Sequence, residues 1–570
     1  MKTNYKYFGL LIIAGLLMFF AGCDDDTLDE PRLFKPTNLS LSTEYNGFTA
    51  SWKKTAGADG YKIEISVSSD FETIDAFIET DNNTLKAKFS DLLENQHYYV
   101  RLCGTRTDET LNSKYILGEI TTNAAYSIFY PVNQDSISFS SVFLTWRDRV
   151  IADRIHVLKT SAGDTEAFDV PVNSDVLKNK QIKISGLTAG ADYKVQLYNG
   201  KENFGYTVFS LPAIPENMIT ITPEEKGNLQ NILNNAPEGA TILFSGTGIF
   251  DYSTTDIIIS KSVNLIGEPG TPKPLLYVKS FLIGGISQAS SINVDNVSFT
   301  RLELSGYRLS GGVEFVEIEP NATTVSCDFR QTHEVNIGKI AVEDCIIRNY
   351  ANSFIELNDK LKDAGTKARI GEINVNKALV YDMGRNKTNY PSFISITNKD
   401  DKNGHCRRYI IRNSTFHHLL RGIIEARVFG TIDGYINPEI TIESCTFDKM
   451  GMKHVPTGEW WGANTEAAKN VFDCKVSDVT ADIRVNITNC VWGELAVDKL
   501  STSFVQGVTN NVVSSYMLTS TKNVINSGTT FFEGISVSVD ELFPNRATND
   551  YTIGVSGAVK NAGDPRWREN

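Results

Sequence analysis

One short phrase recurs through the second half of the chain, and it limits the fold more than any other feature. It reads Val294-Asp295-Asn296-Val297-Ser298-Phe299, Val342-Glu343-Asp344-Cys345-Ile346-Ile347, Val375-Asn376-Lys377-Ala378-Leu379-Val380, Ile411-Arg412-Asn413-Ser414-Thr415-Phe416, Ile442-Glu443-Ser444-Cys445-Thr446-Phe447 and Ile487-Thr488-Asn489-Cys490-Val491-Trp492. The steps are 48, 33, 36, 31 and 45 residues, a period that belongs to solenoids, propellers and arrays. No helical heptads accompany it, and no Trp-Asp or Gly-His signature recurs, which disfavours helical arrays and propellers. A large apolar residue, a polar turn, a small residue and another large apolar fit short strands around a β-solenoid core. The Asn-type residue takes the bend, where a left-handed backbone is tolerated. Stacked Asn side chains can then bond up the coil.

Ahead of this repeat, 34–123 and 124–213 read as two small β modules with turn signals between short alternating strands. Trp52 and Tyr61 belong to the first, Trp146 to the second. Leu92, Tyr98, Val100 and Leu102 share their spacing with Leu187, Tyr193, Val195 and Leu197. These modules resemble fibronectin type III domains. Neither shows a run of exposed aromatics, so a spacer role is favoured over ligand binding. Residues 218–570 open with Thr222-Pro223-Glu224-Glu225, a capping box, and an apolar helical spacing over Leu229, Ile232, Leu233 and Ala236. Gly239 to Phe244, Lys261 to Gly267 and the repeat that follows resemble a right-handed parallel β-helix of the pectate-lyase type. The expected fold is all-β: two fibronectin type III-like β-sandwiches, then a right-handed parallel β-helix (β-solenoid).

The N-terminus carries an address. Two lysines precede Phe8–Gly22, fifteen residues without a charge. That is short for a membrane-spanning helix and suits a signal-peptide core. Phe20-Ala21-Gly22-Cys23 resembles the lipobox of bacterial lipoproteins, which implies a signal peptide over 1–22 and lipidation of Cys23. An ordinary signal peptide with an incidental Cys is the alternative. The acidic tether 23–33, with Asp24-Asp25-Asp26, resembles the surface-export signal of Bacteroidetes lipoproteins, and the C-terminus resembles that of their surface lipoproteins combining such modules. The resemblance implies an outer-membrane lipid anchor facing the exterior. The net charge of −13 argues against nucleic-acid binding and leaves anchoring to the lipid. Besides Cys23, seven cysteines are widely and irregularly spaced. They form neither a disulfide framework nor a zinc motif. Several recur at one repeat position, which suggests small buried hydrophobes.

Function is harder to read. Polygalacturonase-like signatures are not present in order; Asn398-Lys399-Asp400-Asp401 and Gly404-His405 are crowded fragments. The nearest echo of the pectate-lyase Trp motif is Val491-Trp492-Gly493-Glu494. A basic and aromatic concentration does stand out in this acidic chain: Arg385, Lys387, Tyr390, Arg407, Arg408, His417, His418, Arg421, Arg427, Lys453, His454, Trp460 and Trp461. Arg and Lys can fork onto carboxylates, and Trp faces can stack on sugar rings. Of these, Arg385, Lys387, Tyr390, Arg421, Arg427, Lys453, His454, Trp460 and Trp461 are the candidate glycan-binding set; His418, Arg421 and Arg427 are the weak catalytic candidates. On a strand His417 and His418 would point opposite ways. Trp460-Trp461 is a platform or a core pair.

Three functions remain open. One is a glycan-binding surface lipoprotein that holds an acidic, pectin-like polysaccharide beside uptake proteins. Another is a polysaccharide lyase acting by β-elimination, for which Ca²⁺ is the metal to consider; no other cofactor is implied. The third is a structural or adhesin protein without a sugar site. A carboxylate cluster beside an Arg or Lys would favour the lyase.

Overall fold

The computed structural model describes residues 32–568, apart from 45–46, 91, 93–95, 124–127, 148–150, 161–165, 201, 247, 286–288, 311–312, 319–323, 329–331, 358–366, 385–391, 397–403, 429–437, 452–469, 477–482, 496–498, 502–507 and 525–531. Cys23 and the leader therefore lie outside the described residues. Contacts divide the chain into two units: 1–132, 144–182 and 192–209 in the first, and 133–143, 183–191 and 210–570 in the second. The architecture is all-β, antiparallel in the N-terminal modules and parallel beyond them.

In the first module a three-stranded and a four-stranded antiparallel sheet enclose one core. Strand alternation turns Phe48, Trp52, Tyr61, Ile63, Tyr98, Val100 and Leu102 inward, as a two-residue period requires. The Tyr61 hydroxyl accepts from the Thr55 amide at 2.7 Å, so its burial leaves that oxygen bonded. Aromatic residues do gather on this module, from separate segments: the Arg101 guanidinium lies 4.5 Å from the ring centres of both Phe71 and Tyr115. The second module builds a four-stranded antiparallel sheet from Arg154–Lys159, Ala167–Pro171, Asp192–Asn199 and Glu202–Ser210. Tyr193, Val195 and Leu197 are buried in it.

The second unit is a parallel β-helix with three faces. The first face stacks Val263–Gly267, Ala289–Thr300, Thr332–Glu343, Lys367–Asn376, Gly404–Arg412, Glu439–Glu443, Ile483–Thr488 and Val508–Val513. The second stacks Glu303–Ser305, Ile346–Arg348, Leu379–Met383, Thr415–Leu419, Thr446–Met450, Val491–Trp492 and Tyr516–Leu518. The third stacks Val325–Asp328, Ile355–Leu357, Ile394–Ile396, Ile424–Val428, Asn470–Val476 and Lys499–Ser501. The start of the coil departs from the capping-box expectation. Thr222 Oγ1 does donate to Glu225 at 3.2 Å, but the α-helix itself spans only Leu229–Asn235. Leu229, Leu233 and Ala236 are buried, as their spacing predicts.

The bend between the first two faces explains the repeat. Arg301, Asp344, Lys377, Asn413, Ser444, Asn489 and Ser514 all have φ between 46° and 58°. The amide of each from Arg301 to Asn489 donates to a carbonyl on the next rung, at 2.9–3.2 Å. Two residues on, Ile346, Leu379, Thr415, Thr446, Val491 and Tyr516 donate back to the previous rung at 2.8–3.0 Å. The first copy of the phrase is misplaced by a sequence reading. Phe299 pairs with Val342, so Phe299-Thr300-Arg301-Leu302 is the bend, and Val294–Phe299 lies within the strand before it. A further copy, Val512-Val513-Ser514-Ser515, follows Asn489.

The residue after each bend is buried, and it is small everywhere except Leu302. Cys345, Cys445 and Cys490 occupy it, and their thiols lie 3.2–3.4 Å from the carbonyl two residues back. Ser414 and Ser515 occupy the same station and donate to the equivalent carbonyl at 2.5 and 3.0 Å. Inside the coil, rings stack from rung to rung: Phe354 on Phe393 at 5.2 Å, Phe416 on Phe447 at 5.5 Å, Phe447 on Trp492 at 4.0 Å. The C-terminal segment covers the outside of the second face, where Leu542, Phe543, Tyr551 and Val559 pack on Val491 and Tyr516. Asp564 anchors it by accepting from Thr415 Oγ1 at 2.7 Å and by donating its amide to Thr446 Oγ1 at 2.9 Å.

Because serine already makes the bond that cysteine makes at this station, Cys445→Ser is expected to shift unfolding by less than about 1 kcal/mol. Cys445→Leu is expected to cost about 1–3 kcal/mol through overpacking. Urea denaturation followed by circular dichroism measures both.

Candidate functional site

The third face carries the most chemistry. Its inward positions, Val325, Ile355, Ile394 and Ile424 with Cys327, Leu357, Ile396 and Ala426, belong to the core. The residues between them point the other way. Ser326, Glu356, Ser395 and Glu425 form a column in register, and Asp473 holds the next position of the backbone register. Ser395 Oγ donates to Glu425 Oε2 at 3.1 Å, and Ser326 Oγ donates to the Glu356 carbonyl at 2.9 Å. This column was missed from the sequence, although a signal existed. The triplets Val-Ser-Cys, Ile-Glu-Leu, Ile-Ser-Ile, Ile-Glu-Ala and Phe-Asp-Cys each put one polar residue between two apolar ones.

Arg421 reaches this column. It bonds Glu425 Oε2 at 2.8 Å, and both side chains are largely buried, at 17% and 8% exposure. The groove reading expected Arg421 to be free for a ligand; instead its charge is matched within the protein. Arg427 lies on the strand Ile424–Val428, two residues past Glu425, with Lys475 in register on the next rung.

The remaining glycan-binding candidates, Arg385, Lys387, Tyr390, Lys453, His454, Trp460 and Trp461, lie outside the described residues. Their points of attachment do not. Segment 385–391 leaves Gly384 and 452–469 leaves Gly451, at the corner between the second and third faces. Arg421 is at the same corner on the rung between them. The Leu420 amide bonds the Met383 carbonyl at 3.1 Å, and the Gly451 amide bonds the Leu419 carbonyl at 2.7 Å. Parallel rungs stand about 4.8 Å apart, so both segments leave within about 10 Å of each other.

The histidines behave differently from the strand expectation. His418 has φ 57°, which breaks the alternation. The two rings turn toward each other, with Nδ1 of His417 and of His418 2.5 Å apart. His417 is fully enclosed, stacked 4.9 Å from Tyr381. Burial first, then the nearby His418 and Lys449 charges, hold it well below the ordinary histidine value. It is a neutral packing group. Its register partner Asp448 has no exposed side-chain surface. Its Oδ1 accepts from the Glu494 amide at 2.9 Å, and Arg546 lies 3.4 Å from Oδ2. Burial outweighs both and pushes its carboxyl up to about 6.

Other sequence candidates are structural. Trp492 is buried in the core stack, and buried His405 is pushed down to about 4 by desolvation, with Arg369 adding to it. Arg408 pairs with Glu372 at 3.3 Å and Glu439 at 3.6 Å on neighbouring rungs. Asn398 to Asp401 lie outside the described residues. Among the described residues no three His, Cys, Asp or Glu side chains gather closely enough to hold a metal ion, so Ca²⁺ is not assigned to them.

No protein-family model matches the chain, and no curated protein matches it in sequence. Among solved structures it is similar to a two-domain fibronectin type III segment of chicken tenascin, at 17% identity over 31% of this chain and 99% of that one, TM-score 0.17. It is also similar to the fibronectin type III domain of human collagen α-1(XX), at 17% identity over 17% and 92%, TM-score 0.16. A third is chicken CNTN1 FN1–FN3, at 13% identity over 32% and 68%, TM-score 0.15. Scores this low add nothing to the strand pairing described above.

Removing Arg421 strands Glu425 in a buried setting. Arg421→Met is expected to cost about 3 kcal/mol, and Arg421→Met/Glu425→Gln to recover most of it, read as urea midpoints. For Asp448, the folded protein keeps a proton that the unfolded chain, with a carboxyl near 3.9, has already lost. Stability therefore falls as pH rises from about 4 to about 6, then levels off. Asp448→Asn is expected to remove that slope and to raise stability at pH 7 by about 2 kcal/mol, read as the difference between the two proteins' stability–pH profiles.

Proposed function

We propose that this protein is an outer-membrane lipoprotein, anchored through Cys23 and facing the cell exterior. Its right-handed, pectate-lyase-like β-helix would bind an acidic, pectin-like polysaccharide for a neighbouring uptake system. The fibronectin type III-like modules would serve as spacers. One observation carries this reading. The two segments rich in Arg, Lys, Tyr and Trp leave one corner of the coil on rungs that flank Arg421, beside the polar column of the third face. Guanidinium and ammonium groups there suit uronate carboxylates, and aromatic rings suit sugar faces.

A second reading, β-elimination by a polysaccharide lyase, is favoured by one feature. Glu356, Glu425 and Asp473 share a column with Arg421 at its edge and Arg427 two residues along the strand. A lyase needs a base for the C5 proton and a cation to neutralise the uronate. Arg427 is the base to test, because Arg421 is already committed to Glu425.

Both readings are tested on the full protein in detergent with homogalacturonan and rhamnogalacturonan, with and without Ca²⁺. Affinity electrophoresis reads binding, and absorbance of the unsaturated product reads cleavage. Retarded migration with flat absorbance is the expected result. Rising absorbance that Arg427→Met abolishes would establish the lyase. Neither signal would contradict the pectin assignment and leave the adhesin role.

A further inference from the structure

The stacked bends between the first and second faces line a cleft of about 590 Å³, within the second unit. Its lining sets the cations Lys273, Arg301, Lys377 and Arg566 among the carboxylates Asp135, Glu343, Asp344 and Asp564, with Asn413 beside them. This is a different corner from the one that carries the loop segments above.

Residue type along these bends is informative. A left-handed backbone is tolerated by Asn and Asp, whose short side chains bond locally, and is costly for longer ones. Asp344, Asn413, Ser444, Asn489 and Ser514 obey that preference; Arg301 and Lys377 do not. Both exceptions open into the cleft. At the same station one rung further on, Asn413 Nδ2 donates to Asn376 Oδ1 at 2.8 Å, a bond lysine cannot reproduce in kind. Among the described residues Lys377 makes one ion pair, to Glu343 at 3.4 Å, with the two side chains 50% and 40% exposed. A pair so open to water returns little stability. Lysine at 377 is therefore not explained by folding, and an outlier of this kind points to function.

Around it the cleft is preorganised. Arg301, 8% exposed, is held by Asp135, by Asp344 at 3.4 Å and by the Thr271 carbonyl at 2.8 Å. Its Nε is buried with no partner among the described residues. Arg566 donates to the Lys377 carbonyl at 2.6 Å and pairs with buried Asp564 at 2.9 Å, so it braces the bend beside the ammonium with its own charge matched. Asp344 and Asn413 add acceptors and an amide donor. Each cation of the lining is paired with a carboxylate, and Lys377 is the most open of them, which fits a polyhydroxylated ligand bearing a single carboxylate better than a bare polyanion.

We propose that this cleft is a binding subsite for a uronic-acid oligosaccharide, its carboxylate on Lys377 and its hydroxyls on Asn413 and Asp344. The proposal rests on the glycan reading above and adds a second place on the coil where the same chemistry is met.

Lys377→Asn is the test, because a binding role and a lattice role predict opposite things. Oligogalacturonate and its fully methyl-esterified form are the probes, titrated calorimetrically against the full protein in detergent, and thermal unfolding is measured on the same samples. The expected result is affinity for oligogalacturonate lowered at least 5-fold, little change for the ester, and a melting temperature unchanged or raised. Unchanged affinity would overturn the subsite and leave the glycan reading standing, and a lowered melting temperature beside it would assign Lys377 to the ion-pair lattice. Wild-type protein that binds neither probe would overturn the glycan reading, and the subsite with it.

Discussion

The coil depends on a backbone hydrogen bond made from an unfavourable conformation. At each bend between the first and second faces one residue turns left-handed and sends its amide to the carbonyl of the next rung. Without that turn the strand would run straight on and the next face could not form. With it, both strands keep their ladders through the corner, and few backbone groups are stranded in a dry interior. The cost in dihedral strain recurs on every rung. It is offset by the bonds on either side and by burial of the apolar residues that flank the bend.

Much else follows from that register. Because rungs align residue for residue, like positions stack: apolar columns inside, Ser and Cys at one station, and rings on rings from Phe354 to Trp492. The same alignment brings charges of neighbouring rungs together outside, as in Lys339–Glu372 at 3.1 Å and Glu372–Arg408 at 3.3 Å. That lattice satisfies much of the described exterior charge and holds Arg408, while Arg421 is held within its own rung by Glu425. At the corners and on the outward column of the third face, loop length and residue type vary without disturbing the ladders.

The repeat, the all-β class and the buried cysteines at the bends were legible in the sequence because each follows from a short-range pattern. The first rung was not, because Val294-Asp295-Asn296-Val297-Ser298-Phe299 imitates the template while Arg301, a residue unsuited to a left-handed bend, occupies the true one. The histidine pair misled for a related reason: alternation predicts opposite faces, and His418 leaves the extended conformation. Asp448 reads as an ordinary surface carboxylate until the C-terminal segment, about a hundred residues later, is seen to bury it with Arg546. The column of Glu356, Glu425 and Asp473 was legible only as five apolar-polar-apolar triplets at unequal spacing. It takes strand register to show that they share one face. Of the glycan-binding candidates, Arg421 is described with its side chain and Arg427 by its backbone alone. The other seven lie outside the described residues, and the sequence alone speaks for them.

Ligand recognition is proposed for the coil and not for the sandwiches. Hydrogen–deuterium exchange of the full protein, with and without oligogalacturonate, tests that most directly. Added protection on Ile394–Ile396, Ile424–Val428 and Asn470–Val476, and on the segments that leave Gly384 and Gly451, is the predicted result. Protection confined to residues 34–213, or none anywhere at saturating ligand, would contradict it.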